Sequence, residues 1–175
     1  MNGFFELFVL LVCVQRISEL MIAKRNEKRM LRQGGYEAGA RHYPFIVALH
    51  TAFFISLIAE VQLLQKTVSP DWPLWLALFL FTQLGRVWTL LSLGSFWNTK
   101  IIVLPGTKVV KKGPYRWVRH PNYIIVTMEL IVIPFLFQAY YTALVFTLLN
   151  ALMLTVRIAA EEQALMDATD FKKEY

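Results

Sequence analysis

The chain has little charge and almost no cysteine for its length. Only 17% of its 175 residues are charged, whereas about a quarter are charged in an ordinary soluble domain. Cys13 is the single cysteine, so the chain cannot form an internal disulfide. It has no glycine-rich phosphate loop, and no paired Cys or Asp spacing accompanies His42, His50 and His120. These absences argue against a secreted disulfide scaffold, a dinucleotide-binding βαβ domain and a zinc site.

Apolar residues dominate what is present. The chain is 57% hydrophobic, its mean hydropathy is +0.47, and its length suggests one domain over 1–175. A membrane span needs about 20 mostly apolar residues. Five runs approach that length, at 3–22, 44–64, 74–97, 123–137 and 140–158. The sequence therefore predicts an all-α integral membrane bundle of about five transmembrane helices, the last two of which form a tight antiparallel hairpin.

Basic residues are distributed unevenly between the predicted connections. Fifteen of the 18 Lys and Arg residues lie in 24–43, in 98–121 or in the tail from 157, whereas Lys66 alone lies on the opposite side. The positive-inside rule then predicts a multi-pass cell-membrane protein with its N-terminus outside and its C-terminus in the cytoplasm. This asymmetry explains the net charge of +6 without nucleic acid, because no base-stacking motif accompanies the charge.

Charged residues also occur inside the apolar runs, where they are costly unless paired or functional. Arg86 lies near the middle of the third run, and Glu60 and Glu129 are its candidate partners. Such a pair either fixes the bundle or lines a tunnel. Arg16 and Glu19, three residues apart, predict a local pair. An interfacial aromatic belt is predicted for the aromatic residues near the ends of the runs, which are Trp72, Trp75, Trp97, Tyr115 and Trp117.

One loop, GPYRWVRHPNY at 113–123, concentrates groups that can carry chemistry. Pro121 is placed to begin the fourth helix, where its missing N–H costs nothing. A helix N-terminus presents backbone donors to anionic groups, and His120 can change charge near neutral pH. The alternative interpretation is a basic interfacial loop with aromatic anchors.

A second motif, RIAAEEQAL at 157–165, follows the fifth run. Arg157 and Glu161 are four residues apart and share one helical face, which by itself predicts a surface ion pair. The hairpin, however, brings the end of the fifth helix beside the start of the fourth. The sequence therefore predicts a cytoplasmic pocket in which Glu161 holds an ammonium group and the loop holds a carboxylate. An amino-acid-like ligand would suit such a pocket.

Together these motifs resemble the isoprenylcysteine carboxyl methyltransferase family. The loop is similar to the family's RHPxY signature, and Glu161-Glu162-Gln163-Ala164-Leu165 is similar to its EExxL helix. Gly85-Arg86-Val87-Trp88 also resembles the family's third-helix pattern. The resemblance runs from Leu84 to the end of the chain. Phospholipid N-methyltransferases are similar as well, so the motifs indicate the superfamily more firmly than the substrate.

The resemblance implies S-adenosylmethionine as the methyl donor and places the catalytic part at 98–175. It assigns Glu161 to the methionine ammonium group and Arg157, as the catalytic residue, to the acceptor end. Methyl transfer from a sulfonium requires no metal. The other positions that the resemblance assigns to the cofactor are Lys108, Val109, Val110, Tyr115, His120, Pro121, Asn122 and Tyr123.

The expected acceptor is a small lipophilic molecule that reaches the pocket from the bilayer. A carboxylate or acidic hydroxyl oxygen is already deprotonated at pH 7 and needs little general-base help. The short chain resembles bacterial members, which favours an alkylpyrone-like acceptor over an isoprenyl-type one. A phospholipid N-methyltransferase-like enzyme, a non-catalytic membrane scaffold and an NADPH-dependent reductase stay open as alternatives, as does the oligomeric state.

Overall fold

The computed structural model describes residues 3–174 and is built mainly from helices, which confirms the all-α prediction. The five long helices are α1 Gly3–Arg32, α2 Tyr43–Leu63, α3 Trp72–Leu93, α4 Pro121–Leu136 and α5 Tyr140–Ala168. A short helix, α6, covers Phe171–Glu174. Two strands that the sequence did not predict, β1 Tyr36–Ala38 and β2 Ile101–Val103, pair antiparallel with Tyr36 opposite Val103.

Among residues 3–174, three helices are long and apolar enough to cross a membrane: Tyr43–Leu63, Trp72–Phe96 and Tyr140–Ala168. The α4 helix is apolar but has only 16 residues. Two helices extend well beyond the predicted spans, since α1 continues to Arg32 and α5 to Ala168. Lys, Arg and Glu are good helix formers, so the end of an apolar run does not mark the end of its helix.

The predicted hairpin of the last two long helices is confirmed. The α4 helix ends at Leu136 and α5 begins at Tyr140. In the turn, Gln138 adopts a left-handed conformation with φ +56°, and the Ala139 N–H donates to the Pro134 carbonyl over 2.9 Å. The Gln138 side chain also donates to the Thr67 carbonyl over 3.2 Å. The α2–α3 connection therefore lies against the hairpin turn, at one end of the bundle.

The opposite end of the bundle is assembled from the basic connections. Besides the β1–β2 pair, Lys100 donates to Glu27 of α1 over 2.9 Å and to Glu37 of β1 over 3.0 Å. Hydrogen bonds to these two carboxylates raise the pKa of Lys100 above its ordinary value. The Gly106 N–H donates to the Ala168 carbonyl over 2.9 Å. The two basic segments therefore meet the end of α5 on one surface.

A buried ion network joins α1, α3 and α4. Arg86 binds both Glu129 oxygens and lies 3.2 Å from Glu19. Arg16 lies 2.8 Å from Glu19, which confirms the predicted local pair, and 2.6 Å from Glu129. Two Arg and two Glu side chains thus balance one another, and Arg86 and Glu129 are buried. Pairing of this kind is the condition for keeping charges inside a bundle.

Glu60 is not a partner of Arg86, although the sequence proposed it as one. Its carboxylate instead accepts hydrogen bonds from the Thr142 N–H and the Thr142 hydroxyl, both over 2.7 Å, and from the Tyr141 N–H over 3.2 Å. These N–H groups belong to the first turn of α5, where backbone N–H groups have no acceptor within their own helix. Glu60 therefore stabilises the start of α5 from the neighbouring helix.

Candidate active site

A cavity of about 440 Å³ opens beside the two predicted motifs and continues between the helices. Its size lies within the range of small-molecule sites. At the end near the β-strands, both motifs contribute to its wall; the residues there are Trp97, Asn98, Thr99, Lys100, Tyr115, His120, Asn122, Tyr123, Arg157 and Glu161. Within residues 3–174, no group of three or more His, Cys, Asp or Glu side chains could hold a metal ion.

Tyr123 connects the two motifs through its hydroxyl group. Arg157 Nε donates to the Tyr123 hydroxyl over 2.7 Å, and that hydroxyl donates to the Glu161 carboxylate. Arg157 also donates to the Thr99 carbonyl over 2.5 Å. Only 8% of Arg157 is exposed, so the simple interpretation of a surface ion pair with Glu161 is wrong. Both side chains instead meet at one phenol inside the bundle.

His120 adds a second connection between the motifs. Its ring stacks on Tyr123 with a centroid separation of 5.3 Å, and its Nε2 lies 3.1 Å from Glu162. Its Nδ1 lies 3.9 Å from Glu161. Arg119 lies 3.4 Å from the same Glu162 oxygen. The loop and the helix are therefore held together at Glu162 as well as through the Tyr123 hydroxyl.

Local sequence explains how this loop reaches its position. Gly113 has φ +54°, a left-handed conformation that favours glycine. A Cβ atom here would lie 2.1 Å from Ser92 Oγ and 2.9 Å from Trp88 Nε1, so only glycine permits this approach to α3. A 3-10 turn over Gly113–Arg116 follows and buries Tyr115. Pro121 then begins α4, as predicted.

Two buried polar atoms of the cavity wall have no hydrogen-bond partner among the described residues. They are Asn122 Oδ1, an acceptor, and Trp97 Nε1, a donor. A buried polar group without a partner is costly, so both atoms suit a ligand that supplies a donor and an acceptor. Trp97 was predicted for an interfacial belt, but it is only 2% exposed. Tyr115 is buried too.

Some residues that the resemblance assigns to the cofactor lie away from the cavity. Pro121 and the segment 108–110 are not among the lining residues that the structure describes. The Val109 N–H instead donates to Asp170 Oδ1 over 2.8 Å, which fastens this segment to the turn after α5. Of the residues that the resemblance assigns to the cofactor, five line the cavity: Tyr115, His120, Asn122, Tyr123 and Glu161. The other four, Lys108, Val109, Val110 and Pro121, are not among its described lining residues.

Other lining residues carried no motif signal. Thr99 accepts from Arg157 and lies 3.3 Å from the Tyr43 hydroxyl at the start of α2. His50 of α2 and Asn150 of α5 line the cavity farther inside the bundle. Their only sequence signal was a polar residue within an otherwise apolar run.

Comparisons with known proteins identify the family of this chain. The model of the family described as "Isoprenylcysteine carboxyl methyltransferase (ICMT) family" matches residues 75–167. The chain is 48% identical to "Uncharacterized protein YpbQ" of Bacillus subtilis (strain 168), over 93% of this chain and 97% of the relative. It is 31% identical to an "Uncharacterized protein" of Haemophilus influenzae, over 86% and 88%. No solved structure matches the chain significantly. The chain belongs to the isoprenylcysteine carboxyl methyltransferase family.

Proposed function

We propose that this protein is an integral membrane methyltransferase that transfers a methyl group from S-adenosylmethionine to a carboxylate or acidic hydroxyl oxygen of a small lipophilic acceptor. The observation that carries the proposal is the meeting of Arg157 and Glu161 at the Tyr123 hydroxyl, inside one cavity. The Arg157 guanidinium and the Glu161 carboxylate are thereby held at a fixed separation. The carboxylate suits the ammonium group of a zwitterionic methyl donor, and the guanidinium suits an anionic acceptor. Family membership supports the membrane methyltransferase class.

The cavity wall suits the donor. Glu161 supplies a carboxylate for an ammonium group, and the free Asn122 and Trp97 atoms supply an acceptor and a donor. When bound, S-adenosylmethionine would supply a methyl group already activated by its sulfonium. The protein's own task is then to position the two reactants and to exclude water. His120 and Glu162 serve this task by holding the loop against α5.

Arg157 is assigned to the acceptor oxygen. Its bonds to Tyr123 and to the Thr99 carbonyl use two of its five N–H donors. The remaining donors can hold an anionic oxygen in line with the methyl group. Because Arg157 is buried and always charged, an anionic acceptor is strongly favoured over an amine. A phospholipid N-methyltransferase would instead use Arg157 for the lipid phosphate, and the labelling experiment distinguishes the two.

The cavity wall also supports a lipophilic acceptor. Beyond the polar end it is lined by apolar side chains of α2 and α4, among them Leu49, Phe53, Leu130 and Ile133. An alkylpyrone-like or isoprenyl-type molecule would fit this mixture of one anionic contact and an apolar channel. We place the polar end at the cytoplasmic surface, in a five-span arrangement in which α1 and α4 also cross the bilayer. The basic connections at that end support this orientation.

The test is transfer of radiolabelled methyl groups by the purified full chain in detergent. We expect an alkylpyrone or a prenylated carboxylate to be labelled, and phosphatidylethanolamine to remain unlabelled. Calorimetry should detect saturable binding of S-adenosylmethionine and S-adenosylhomocysteine but not of NADPH. Absence of saturable S-adenosylmethionine binding would favour a non-catalytic scaffold, and binding of NADPH would favour a reductase.

Arg157→Ala tests the role of the arginine. We expect at least a hundredfold loss of turnover with S-adenosylmethionine affinity within about threefold of wild type, because one charged contact to a developing transition state contributes roughly 3 kcal/mol. Arg25→Ala, which removes an exposed arginine of α1, is the matched control and should leave both quantities unchanged. Equal loss of binding and turnover would show that the assignment is wrong.

A further inference from the structure

The cavity extends from the Arg157–Tyr123 site into the bundle along α2 and α5, which run antiparallel. Their register follows from three contacts. Phe53 and Phe146 have ring centroids 5.7 Å apart, and Ser56 and Thr142 hydroxyls lie 2.8 Å apart. Thr99 contacts both Tyr43 and Arg157, so the start of α2 lies level with Arg157.

In this register His50 lies opposite Asn150. Each of the two residues is seven positions from the level of Tyr43 and Arg157, which on a helix is about 10 Å deeper in the bundle. Both line the cavity. The Phe53–Phe146 pair packs one turn farther on. On the α2–α5 side, His50 and Asn150 therefore place polar groups in the cavity wall between the Arg157–Tyr123 site and this aromatic pair.

His50 differs from the other polar groups of the cavity interior. Arg16, Glu19, Arg86 and Glu129 compensate one another in the ion network. Asn150 donates to the Thr127 hydroxyl over 3.0 Å. His50 has no hydrogen-bond or ion-pair partner among the described residues, and it is partly exposed in the cavity wall, near Leu49 and Phe53. A ligand in the cavity can therefore bind its ring without displacing a protein partner.

We propose that His50 is a second recognition point for the acceptor, which binds a hydroxyl or carbonyl oxygen about 10 Å from the oxygen that receives the methyl group. This inference rests on the proposed function for the position of the reacting oxygen. It narrows the acceptor class to lipophilic acids whose apolar part carries a second oxygen, and it disfavours a plain hydrocarbon tail. An imidazole can donate or accept, so both oxygen types suit it.

The test measures binding separately from methyl transfer. The probes are saturated long-chain fatty acids that carry one hydroxyl at successive positions, together with the unsubstituted acid. Their affinities are measured by displacement of the tritiated unsubstituted acid from the purified full chain. The positional isomers have nearly equal hydrophobicity and therefore control for one another. We expect one position to bind about tenfold more tightly than its neighbours, the usual effect of one added hydrogen bond.

His50→Leu should abolish this preference for one position without weakening binding of the unsubstituted acid, and His50→Gln should retain part of it. Cys13→Ala, another change in the cavity wall, should leave the preference intact. A preference that persists in His50→Leu, or equal binding of all isomers by wild type, would overturn the inference. Methyl transfer to the same acids is measured in parallel. Position-dependent binding, without methyl transfer to these acids, to an alkylpyrone or to a prenylated carboxylate, would overturn the proposed function while supporting the His50 site.

Discussion

At the scale of single residues, Tyr123 carries the strongest prediction. Tyr123→Phe keeps the ring that stacks on His120 but removes the hydroxyl that joins Arg157 to Glu161. Arg157, which is buried, and Glu161, which is partly exposed, each lose a hydrogen bond, at about 1–3 kcal/mol. We expect a 10- to 100-fold loss in S-adenosylmethionine affinity by calorimetry and a larger loss of turnover. Tyr141→Phe, at an exposed tyrosine, should change neither quantity. Wild-type affinity and turnover in Tyr123→Phe would show that the hydroxyl is not needed for cofactor binding or methyl transfer.

Gly113 carries the second prediction at this scale. Gly113→Ala adds both left-handed strain and a clash with Ser92 Oγ, so the GPY turn must move away from α3. We expect a lower thermal midpoint and at least tenfold weaker S-adenosylmethionine binding. Gly106→Ala separates the two causes, because Gly106 has φ +74° but open space around its Cα. Equal effects of the two variants would show that backbone strain alone matters.

Some of these site residues could be predicted from the sequence, and others could not for a physical reason. Tyr123 and Glu161 stood within recognisable motifs, and their meeting followed from a two-residue turn between two helices. Trp97 and His50 carried no such signal. The burial of Trp97 depends on how 94–112 folds back over α1, where Asn26 donates to its carbonyl over 2.8 Å. Hydrophobic periodicity describes one segment at a time, so it cannot indicate a contact between segments that are far apart in the sequence.

At the scale of elements, the same distinction holds. The order of the long helices and the hairpin could be predicted, because each rests on contacts within one segment. The β1–β2 pair could not, because three-residue strands give no periodic signal and their partners are 63 to 67 positions apart. This small pairing matters, since β2 directly follows Thr99 and Lys100 of the cavity wall.

The ion network provides the prediction at this scale. Glu129→Gln removes the carboxylate that binds both Arg86 and Arg16, so the buried Arg86 and the partly exposed Arg16 are left with Glu19 alone. Breaking a buried pair on one side costs about 3–5 kcal/mol. We expect a loss of that size in the free energy of unfolding, measured with a denaturing detergent in mixed micelles. Glu6→Gln, at an exposed residue of α1, should have almost no effect. If Glu129→Gln and the wild-type protein had similar free energies of unfolding, water would have to reach the network.

At the scale of the whole molecule, the charge distribution agrees with the geometry. The predicted basic connections lie at the end of the bundle that contains the β-strands and the candidate active site, whereas the α2–α3 connection and the hairpin turn lie at the other. The sequence could predict this grouping because alternation along the chain determines it. It could not determine whether α4 crosses the whole bilayer, since 16 residues extend only about 24 Å against an apolar core of about 30 Å.

Cysteine labelling of intact cells tests the crossing of α4 by parity. Single cysteines replace Glu6, Lys28, Asp71 or Asp167, all of them exposed, in a Cys13→Ala background. If all five long helices cross, an impermeant maleimide reaches positions 6 and 71 from outside, and positions 28 and 167 only after permeabilisation. Three helices separate Asp71 from Asp167. Reaction of position 167 from outside would mean an even number of crossings between Asp71 and Asp167, although the structure places the end of α5 opposite the α2–α3 connection. That result would place the end of α5, with Arg157 and Glu161, away from cytoplasmic S-adenosylmethionine and would contradict the proposed orientation.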